Sequence, residues 1–180
     1  MSIPEQMDGH RLRLRTVRLE DAEYIHGLRS DPAYNQHLSR VAGTAEDQRK
    51  WIESYKGRET VGLEAYYVIE RLDNGQRCGL VRLYDIENDR FTWGSWILDA
   101  NKPPKAALES AVLSLGVGFA DLGRSLALIE ARHDNLHATA FYLRFGMDLV
   151  GKDELSLYFE YPRSRFEADL ATHLKAITGQ

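Results

Sequence analysis

The chain has 180 residues, of which 43% are hydrophobic and 28% are charged, and its formal net charge is −4 at pH 7. These values are typical of a soluble domain with a sizeable core, and the acidic balance argues against nucleic acid as the main partner. No apolar run approaches the roughly 20 residues that a membrane span needs, and the first residues lack the apolar centre of a signal peptide. We therefore expect a cytoplasmic protein without a membrane partner.

The N-terminal segment predicts a strand followed by a helix. Residues 1–9 are expected to be a loose lead-in. Residues 11–17 alternate arginine with leucine, which places Leu12 and Leu14 on one face of a strand. A helix is predicted over residues 21–29.

A second helix is predicted to run through Trp51 and Tyr55. It is preceded by Thr44, with Asp47 three residues later, which is a loose match to a capping box. The two helices and the loop between them form the first helical pair of the chain.

A hairpin and a central strand follow the helical pair. The sequence Asp73-Asn-Gly75 is a strong hairpin signal between the predicted strands 64–70 and 77–84. Residues 93–99 are rich in aromatic and β-branched side chains and predict the next strand.

A long helix is predicted after Pro103 and Pro104, which suit the start of a helix. Apolar residues then recur with helical spacing, and Gly123 ends the helix. These apolar residues are Leu108, Ala111, Val112, Leu115, Phe119 and Leu122. Because a helix start leaves backbone N–H groups unpaired, this strand–turn–helix predicts an anion site.

The rest of the chain predicts a strand, a short helix, a two-stranded hairpin and an amphipathic helix, over residues 125–132, 135–147, 147–152 with 155–161, and 164–178. No repeat or linker interrupts the pattern. We therefore expect a single domain over residues 1–180.

The run from Asn135 to Met147 resembles a known family. Asn135, Ala138 three residues later, Tyr142 four residues after that, and Gly146 between two apolar residues are similar to the last motif of the GCN5-related N-acetyltransferases, the GNAT family.

The resemblance covers most of the chain. The predicted strand 11–15 with the Glu-Asp-Ala sequence at 20–22 resembles the opening strand and helix of the family. The sequence Trp-Gly-Ser-Trp-Ile-Leu-Asp at 93–99 resembles the branch of ribosomal-protein acetyltransferases and their sugar-nucleotide relatives.

The resemblance implies an α/β (α+β) fold of the GNAT type. A central, mostly antiparallel mixed sheet is expected to be flanked by helices and splayed after the fourth strand, which ends at Asp99. It also implies an acyltransferase that uses acetyl-CoA as co-substrate. Direct transfer in a ternary complex is expected, because no covalent nucleophile is visible.

The same resemblance assigns candidate contacts with acetyl-CoA. The pantetheine arm is expected along the strand end, the phosphates at the start of the long helix, and the thioester beside the short helix. In that order, the candidates are Trp96, Ile97 and Leu98; Lys102, Lys105, Ala106 and Ala107; and Asn135, Ala138 and Tyr142. Asn135 is equally a candidate cap for the short helix.

The predicted phosphate loop departs from the family pattern at its centre. The family usually has glycine where this chain has Lys105, since glycine lets the backbone approach a phosphate closely. The terminal small residue is retained as Ala107. Lys105 either adds a cation beside the pyrophosphate or fills its place, and the sequence leaves both interpretations open.

Tyr142 is the candidate general acid, because the departing thiolate of CoA is best protonated by a positioned O–H group. Its ionisation is expected near the reference pKa of about 10 or somewhat below it. The candidate general bases are Glu87, Glu130 and His133, which the sequence does not rank. No metal site is expected, since the histidine spacing lacks the glutamate of a zinc helix.

The acceptor is expected to be a small-molecule amine or a peptide N-terminus. An amino sugar on a nucleotide is the first expectation, because aromatic side chains can stack on a sugar ring. The alternatives are a protein N-terminal amine, as on a ribosomal protein, and a non-catalytic CoA-binding module. A homodimer is left open. The candidate acceptor contacts are Tyr34, His37, Arg40, Tyr84, Trp93 and Trp96.

Overall fold

The computed structural model describes residues 2–38 and 41–180, which build one eight-stranded sheet with helices on both faces. The strands are β1 (Gln6–Asp8), β2 (Leu12–Thr16), β3 (Ala65–Arg71), β4 (Arg77–Glu87), β5 (Arg90–Leu98), β6 (Leu126–Arg132), β7 (Asp148–Lys152) and β8 (Ser156–Pro162). The helices are α1 (Ala22–Ser30), α2 (Ala45–Thr60), α3 (Ala106–Gly116), α4 (Leu136–Phe145) and α5 (Arg163–Thr178).

The sheet has the order β1-β2-β3-β4-β5-β6-β8-β7. Neighbouring strands are antiparallel except β5 and β6, which are parallel. The expected α/β fold with a mostly antiparallel mixed sheet is therefore confirmed.

The lead-in contains an edge strand that the sequence does not reveal. Met7 pairs with Leu14, and the hydroxyl of Tyr67 donates a hydrogen bond to the carbonyl oxygen of Pro4 at 2.8 Å. The expectation of a loose segment over residues 1–9 is wrong for these positions. A three-residue strand is too short to show a period in the sequence.

Each face of the sheet has its own apolar core and its own group of helices. Helices α3, α4 and α5 pack on one face of the sheet, and α1 and α2 pack on the other. Strand β3 shows the division, because Tyr67 and Ile69 enter the first core while Tyr66 and Val68 enter the second. Within the described ranges, no helix has both the length and the apolar character needed to cross a bilayer.

Asp21 fixes the start of α1 against the sheet. Its carboxylate, 1% exposed, accepts hydrogen bonds from Arg15 at 2.8 and 2.9 Å and from Arg77 at 3.2 Å. Burial alone would raise the pKa of Asp21, but the hydrogen bonds from Arg15 and from the backbone N–H of Arg18 outweigh it and lower the pKa. Ion pairs between Asp21 and two arginines of the sheet therefore fix the start of α1.

Helix α3 ends earlier than its apolar spacing predicts. Regular α-helix stops at Gly116, and Val117–Asp121 continues as a π-helical turn. A Cβ atom at Gly118 would overlap the ring of Phe91, so this glycine allows the turn to lie directly against β5. The predicted stop at Gly123 follows the π-helical turn, with φ +67°.

Candidate active site

Strands β5 and β6 part in the middle of the sheet. They pair only from Arg90 to Thr92 on β5, opposite residues 126–128 of β6. A bulge bends β5 where Arg82 faces Gly94 but Leu80 faces Ile97, and Ser95 at its centre has φ +47°. A cavity of about 280 Å³ occupies the gap between the diverging strands.

Nine residues that the sequence singles out line this cavity. They come from the α1–α2 loop, β4, β5, β6 and the start and body of α4. They are Tyr34, His37, Tyr84, Trp93, Trp96, Ile97, Glu130, Asn135 and Tyr142.

Tyr142 lies in a cluster of aromatic rings under the gap. Its ring centroid is 6.0 Å from that of Trp93, 6.3 Å from that of Trp96 and 5.5 Å from that of Phe159. Its hydroxyl makes no hydrogen bond with any other described residue, although the side chain lines the cavity. Burial raises the pKa of Tyr142 well above its ordinary value, so the expected ionisation near or below pH 10 is wrong.

The two tryptophans of β5 are tied to α3 through their indole N–H groups. Trp93 donates to Ser114 Oγ at 2.8 Å, and Trp96 donates to Ser110 Oγ at 3.1 Å. Trp93 is only 1% exposed and belongs to the core. Its predicted role in stacking a sugar ring does not fit this burial, whereas Tyr84 is only half-buried and lines the cavity.

Of the three candidate bases, Glu130 is the one that lines the cavity. Its Oε1 accepts a hydrogen bond from Ser156 Oγ at 2.6 Å. Glu87 lies at the β4–β5 hairpin, opposite Arg90, where the two strands are still paired. His133 Nε2 lies 2.6 Å from the carbonyl oxygen of Asp153 in the β7–β8 turn. Glu87 and His133 therefore do not line the cavity.

Tyr34 and His37, which follow α1 in the α1–α2 loop, lie at the cavity in the gap. The hydroxyl of Tyr34 accepts a hydrogen bond from the backbone N–H of Ala100 at 3.1 Å. His37 Nδ1 lies 3.1 Å from a carboxylate oxygen of Asp134, after β6. The loop thus contacts both diverging strand ends. The third loop candidate, Arg40, lies outside the described residues.

The start of α3 keeps the conformation of a glycine-containing loop despite its lysine. Lys105 has φ +63° and ψ +17°, the left-handed conformation that glycine adopts at low cost. Its ammonium group donates a hydrogen bond to the carbonyl oxygen of Ala176 in α5. The N–H groups of Ala107 and Leu108 have no hydrogen-bond partner among the described residues.

The other cofactor candidates lie on β5, in the loop before α3, on α3 and on α4, and they do not line the cavity. Leu98 ends β5, Lys102 follows in the loop, Ala106 is buried in the first turn of α3, and Ala138 packs against the core from α4. Asn135 Oδ1 accepts a hydrogen bond from the N–H of Ala138 at 3.2 Å and so caps α4, the role left open for it in the sequence.

Several residues that line the cavity escape the sequence analysis, among them Arg29, Tyr66 and Arg132. Arg29 lies in the last turn of α1 and Tyr66 lies on β3, and both line the cavity from the side of α1 and α2. The hydroxyl of Tyr66 is buried and has no hydrogen-bond partner among the described residues. Neither residue belongs to a motif, since an arginine near a helix end and a tyrosine in a strand are common features of surfaces and cores.

Comparison with known proteins identifies the family. Residues 11–148 match the family model of the Acetyltransferase (GNAT) domain. The structure is similar to that of FdhC, described as a nucleotide-linked sugar GNAT, with 35% sequence identity, a TM-score of 0.87 and coverage of 93% of this chain and 96% of that chain. No curated protein sequence matches the chain.

Two more distant structures share the fold. One is the ribosomal-protein-S5-alanine acetyltransferase from Vibrio fischeri, with 11% identity, a TM-score of 0.77 and coverage of 89% of this chain and 98% of that chain. The other is a chimera of the spermidine N-acetyltransferase SpeG from Vibrio cholerae and hSSAT, with 18% identity, a TM-score of 0.75 and coverage of 88% and 99%.

Proposed function

This chain belongs to the GNAT family of acetyltransferases, and from that premise we propose that it moves the acetyl group of acetyl-CoA to the primary amine of an amino sugar carried on a nucleotide. The observation that carries the proposal is that one cavity, between two parted strands, is lined by both a carboxylate, Glu130, and a buried phenol, Tyr142. An amine that attacks a thioester needs a proton acceptor and a proton donor at two different atoms.

The residues present fit acetyl-CoA. The backbone of β5 beyond Thr92 has no strand pairing with β6, so its peptide groups are available to the amides of a pantetheine arm. The unpaired N–H groups of Ala107 and Leu108 and the positive end of α3 suit a pyrophosphate. When bound, acetyl-CoA supplies an activated acetyl group as a thioester.

Glu130 and Tyr142 each carry out one of the two proton transfers. Glu130 accepts the proton that the amine loses, and the hydrogen bond from Ser156 holds its carboxylate in place. Tyr142 keeps its proton throughout the neutral pH range, because burial raises its pKa, and it donates that proton to the sulfur that leaves. The rings of Trp93, Trp96 and Phe159 pack around Tyr142 and hold its ring at the wall of the cavity.

The charges of the cavity favour an anionic acceptor over a polycation. Arg29 and Arg132 line it, and neither forms a salt bridge within the part of the chain that the structure describes. A polyamine would be repelled by them, whereas the phosphates of a nucleotide would be attracted. The similarity to a nucleotide-linked sugar GNAT, at 35% identity, supports the same choice.

The test is acetyl transfer to a panel of amines. The panel contains amino sugars linked to thymidine or uridine diphosphate, the same amino sugars without the nucleotide, an alanine-terminated peptide and spermidine. We expect the highest kcat/KM for a nucleotide-linked amino sugar. A higher kcat/KM for the peptide or for spermidine would overturn the acceptor assignment, and acetyl-CoA binding without turnover of any amine would indicate a non-catalytic CoA-binding module.

A further inference from the structure

Tyr66 lines the cavity, and its buried hydroxyl has no hydrogen-bond partner among the described residues. The residue is 1% exposed, and its oxygen contacts no donor or acceptor among the described residues. A buried polar group left unpaired is costly, and native proteins rarely keep one without a role. Because Tyr66 lines the cavity, the missing partner can come from a bound molecule.

The rings of Trp51 and Tyr55 pack against Tyr66. Its ring lies edge-on to Trp51, with centroids 5.8 Å apart, and to Tyr55, with centroids 6.1 Å apart. Its backbone N–H donates to the hydroxyl of Tyr55 at 2.6 Å. The phenol is therefore held in one position, as expected of a group prepared for a ligand.

Arg29 adds a cation beside this hydroxyl. It lines the cavity between the parted strands and also a second cavity of about 210 Å³, which is bordered by residues of the α1–α2 loop and α2. Its neighbour Arg82, by contrast, is paired with Glu64 at 2.8 Å and lies over the rings of Trp51 and Tyr84. Arg29 is thus the cation at this wall that has no carboxylate partner among the described residues.

The second cavity contains an unpaired amide. Gln48 is 8% exposed and lines it, and its side chain makes no hydrogen bond with any other described residue. An amide carries both donors and an acceptor, which matches the edge of a pyrimidine or purine base. The nearby carboxylate of Asp47 is already used, because it accepts from the N–H of Thr44 at 2.8 Å.

From these groups we infer a two-chamber acceptor site in which Arg29 binds the diphosphate of the acceptor, Tyr66 hydrogen-bonds its sugar, and Gln48 contacts its nucleobase. The inference rests on the proposed function, since it assigns the acceptor of that reaction. The order of the groups supports it: the sugar chamber contains the candidate base and acid, the second chamber contains the amide, and Arg29 borders both. A ligand with an anion at its centre, an amino sugar at one end and a nucleobase at the other fits this order.

The binding experiment uses the whole protein saturated with CoA, so that the α3 site is filled and probes bind elsewhere. Isothermal titration measures the Kd of uridine diphosphate, thymidine diphosphate and inorganic pyrophosphate. Arg29→Gln should weaken all three by about 10- to 100-fold, the usual scale for one charge-assisted contact. The control Arg49→Gln removes an exposed cation of α2 outside both cavities and should change Kd by less than about twofold.

Gln48→Leu separates the nucleobase from the phosphates. It should weaken the nucleoside diphosphates by about tenfold and leave the Kd of pyrophosphate unchanged. An equal loss for all three probes would overturn the assignment of the second chamber to the base.

Tyr66→Phe tests the unpaired hydroxyl. Since that hydroxyl has no partner among the described residues, the variant should have a Tm equal to or above that of the wild type. Its KM for the nucleotide-linked amino sugar should still rise, by about tenfold. A lowered Tm with unchanged KM would mean that the hydroxyl serves the fold, and would overturn its assigned role.

The outcomes for this site and for the proposed reaction are distinct. Loss of probe binding in Arg29→Gln supports the acceptor site even if no amine on the panel is acetylated, because calorimetry does not depend on turnover. Equal Kd values for Arg29→Gln, Arg49→Gln and the wild type would overturn the site, and acetylation of a nucleotide-linked sugar would then still support the reaction.

Discussion

The two sides of the parted strands differ in how completely their polar groups are paired. On the side of α3 and α4, the indole N–H groups of Trp93 and Trp96 both reach serine oxygens of α3. On the side of α1 and α2, the hydroxyl of Tyr66 and the Nε atom of Arg82 are buried without partners among the described residues, and Arg29 has no salt bridge there.

This difference separates groups whose hydrogen bonds are complete within the protein from groups that are proposed to contact a ligand. A buried hydrogen bond that is complete stabilises the protein by itself, whereas an incomplete one is costly until something binds. Tyr142 is the exception on the first side, because its hydroxyl has no partner among the described residues although both tryptophans beside it are paired. The comparison supports the proposed role of Tyr142 in the reaction and shows that both tryptophans are hydrogen-bonded to α3.

The largest expected effect is that of Tyr142→Phe. The change removes the proposed acid but no hydrogen bond within the described structure, so kcat should fall by about 100-fold or more while Tm and the KM for acetyl-CoA stay unchanged. Steady-state kinetics and thermal unfolding measure these quantities. The control Tyr67→Phe, at a buried tyrosine whose hydroxyl bonds Pro4, should retain kcat. Full activity of Tyr142→Phe would contradict the assignment of Tyr142.

The pH profile of the wild type tests whether Tyr142 stays protonated in alkaline solution. A general acid is active while protonated, so its activity is lost as the pH rises through its pKa. Because burial raises the pKa of Tyr142 well above 10, we expect no loss of kcat from this group between pH 7 and 10. An alkaline loss centred below pH 10 that is absent in Tyr142→Phe would contradict the burial of the phenol.

Glu130→Gln should have the next largest effect, a fall in kcat of about 10- to 100-fold at neutral pH. The deficit should shrink as the pH rises, because a larger fraction of the amine then arrives without its extra proton. A merely structural role would give the same deficit at every pH. Glu87→Gln, which removes a carboxylate at the β4–β5 hairpin outside the cavity, should leave kcat unchanged.

Ser114→Ala tests whether the hydrogen bond between Trp93 and α3 stabilises the fold. It leaves the buried indole N–H of Trp93 without its acceptor, which should lower the free energy of unfolding by about 1–3 kcal/mol in urea denaturation. Ser110→Ala should cost less, because Trp96 is only half-buried and can reach water. Equal costs for the two variants would mean that burial does not decide the value of these hydrogen bonds.

The smallest effect is expected at Lys105, where two variants are compared with each other. Both Lys105→Gly and Lys105→Ala remove the contact with Ala176, so their difference reports the backbone alone. At φ +63°, glycine should be more stable than alanine by about 1 kcal/mol in the free energy of unfolding. Equal stabilities would show that the loop relaxes to another conformation in these variants.

Most of the fold could be predicted from the sequence because its signals are local. The hairpin at Asp73-Asn-Gly75, the capping box at Thr44 and Asp47, and the alternation of Leu12 and Leu14 all lie where the patterns predict them. Each depends on the conformation of neighbouring residues, so a few residues suffice to encode it. The short edge strand β1 and the π-helical end of α3 could not be predicted, because they depend on packing against distant strands.

The site could be predicted only in part. The spacing from Asn135 to Gly146 identifies α4, its cap and Tyr142 as part of the cavity wall, since a motif within one helix places its residues together. The sequence could not show that Glu130 lines the cavity while Glu87 and His133 do not, because this depends on where β5 and β6 separate. The point of separation depends on the bulge at Ser95 and on the three-residue pairing of the strands.

By itself, then, the sequence determined the order of the elements from β2 to α5, the family and the helix that carries Tyr142, because these follow from periodicity and short motifs. Only the tertiary structure decided which carboxylate shares a cavity with Tyr142. It also showed that Tyr66 and Arg29 line that cavity, the Tyr66 hydroxyl without a hydrogen bond and Arg29 without a salt bridge among the described residues. The physical reason is that burial and hydrogen-bond pairing belong to a side chain's whole surroundings. Residues far apart in the chain supply those surroundings, and no local pattern records them.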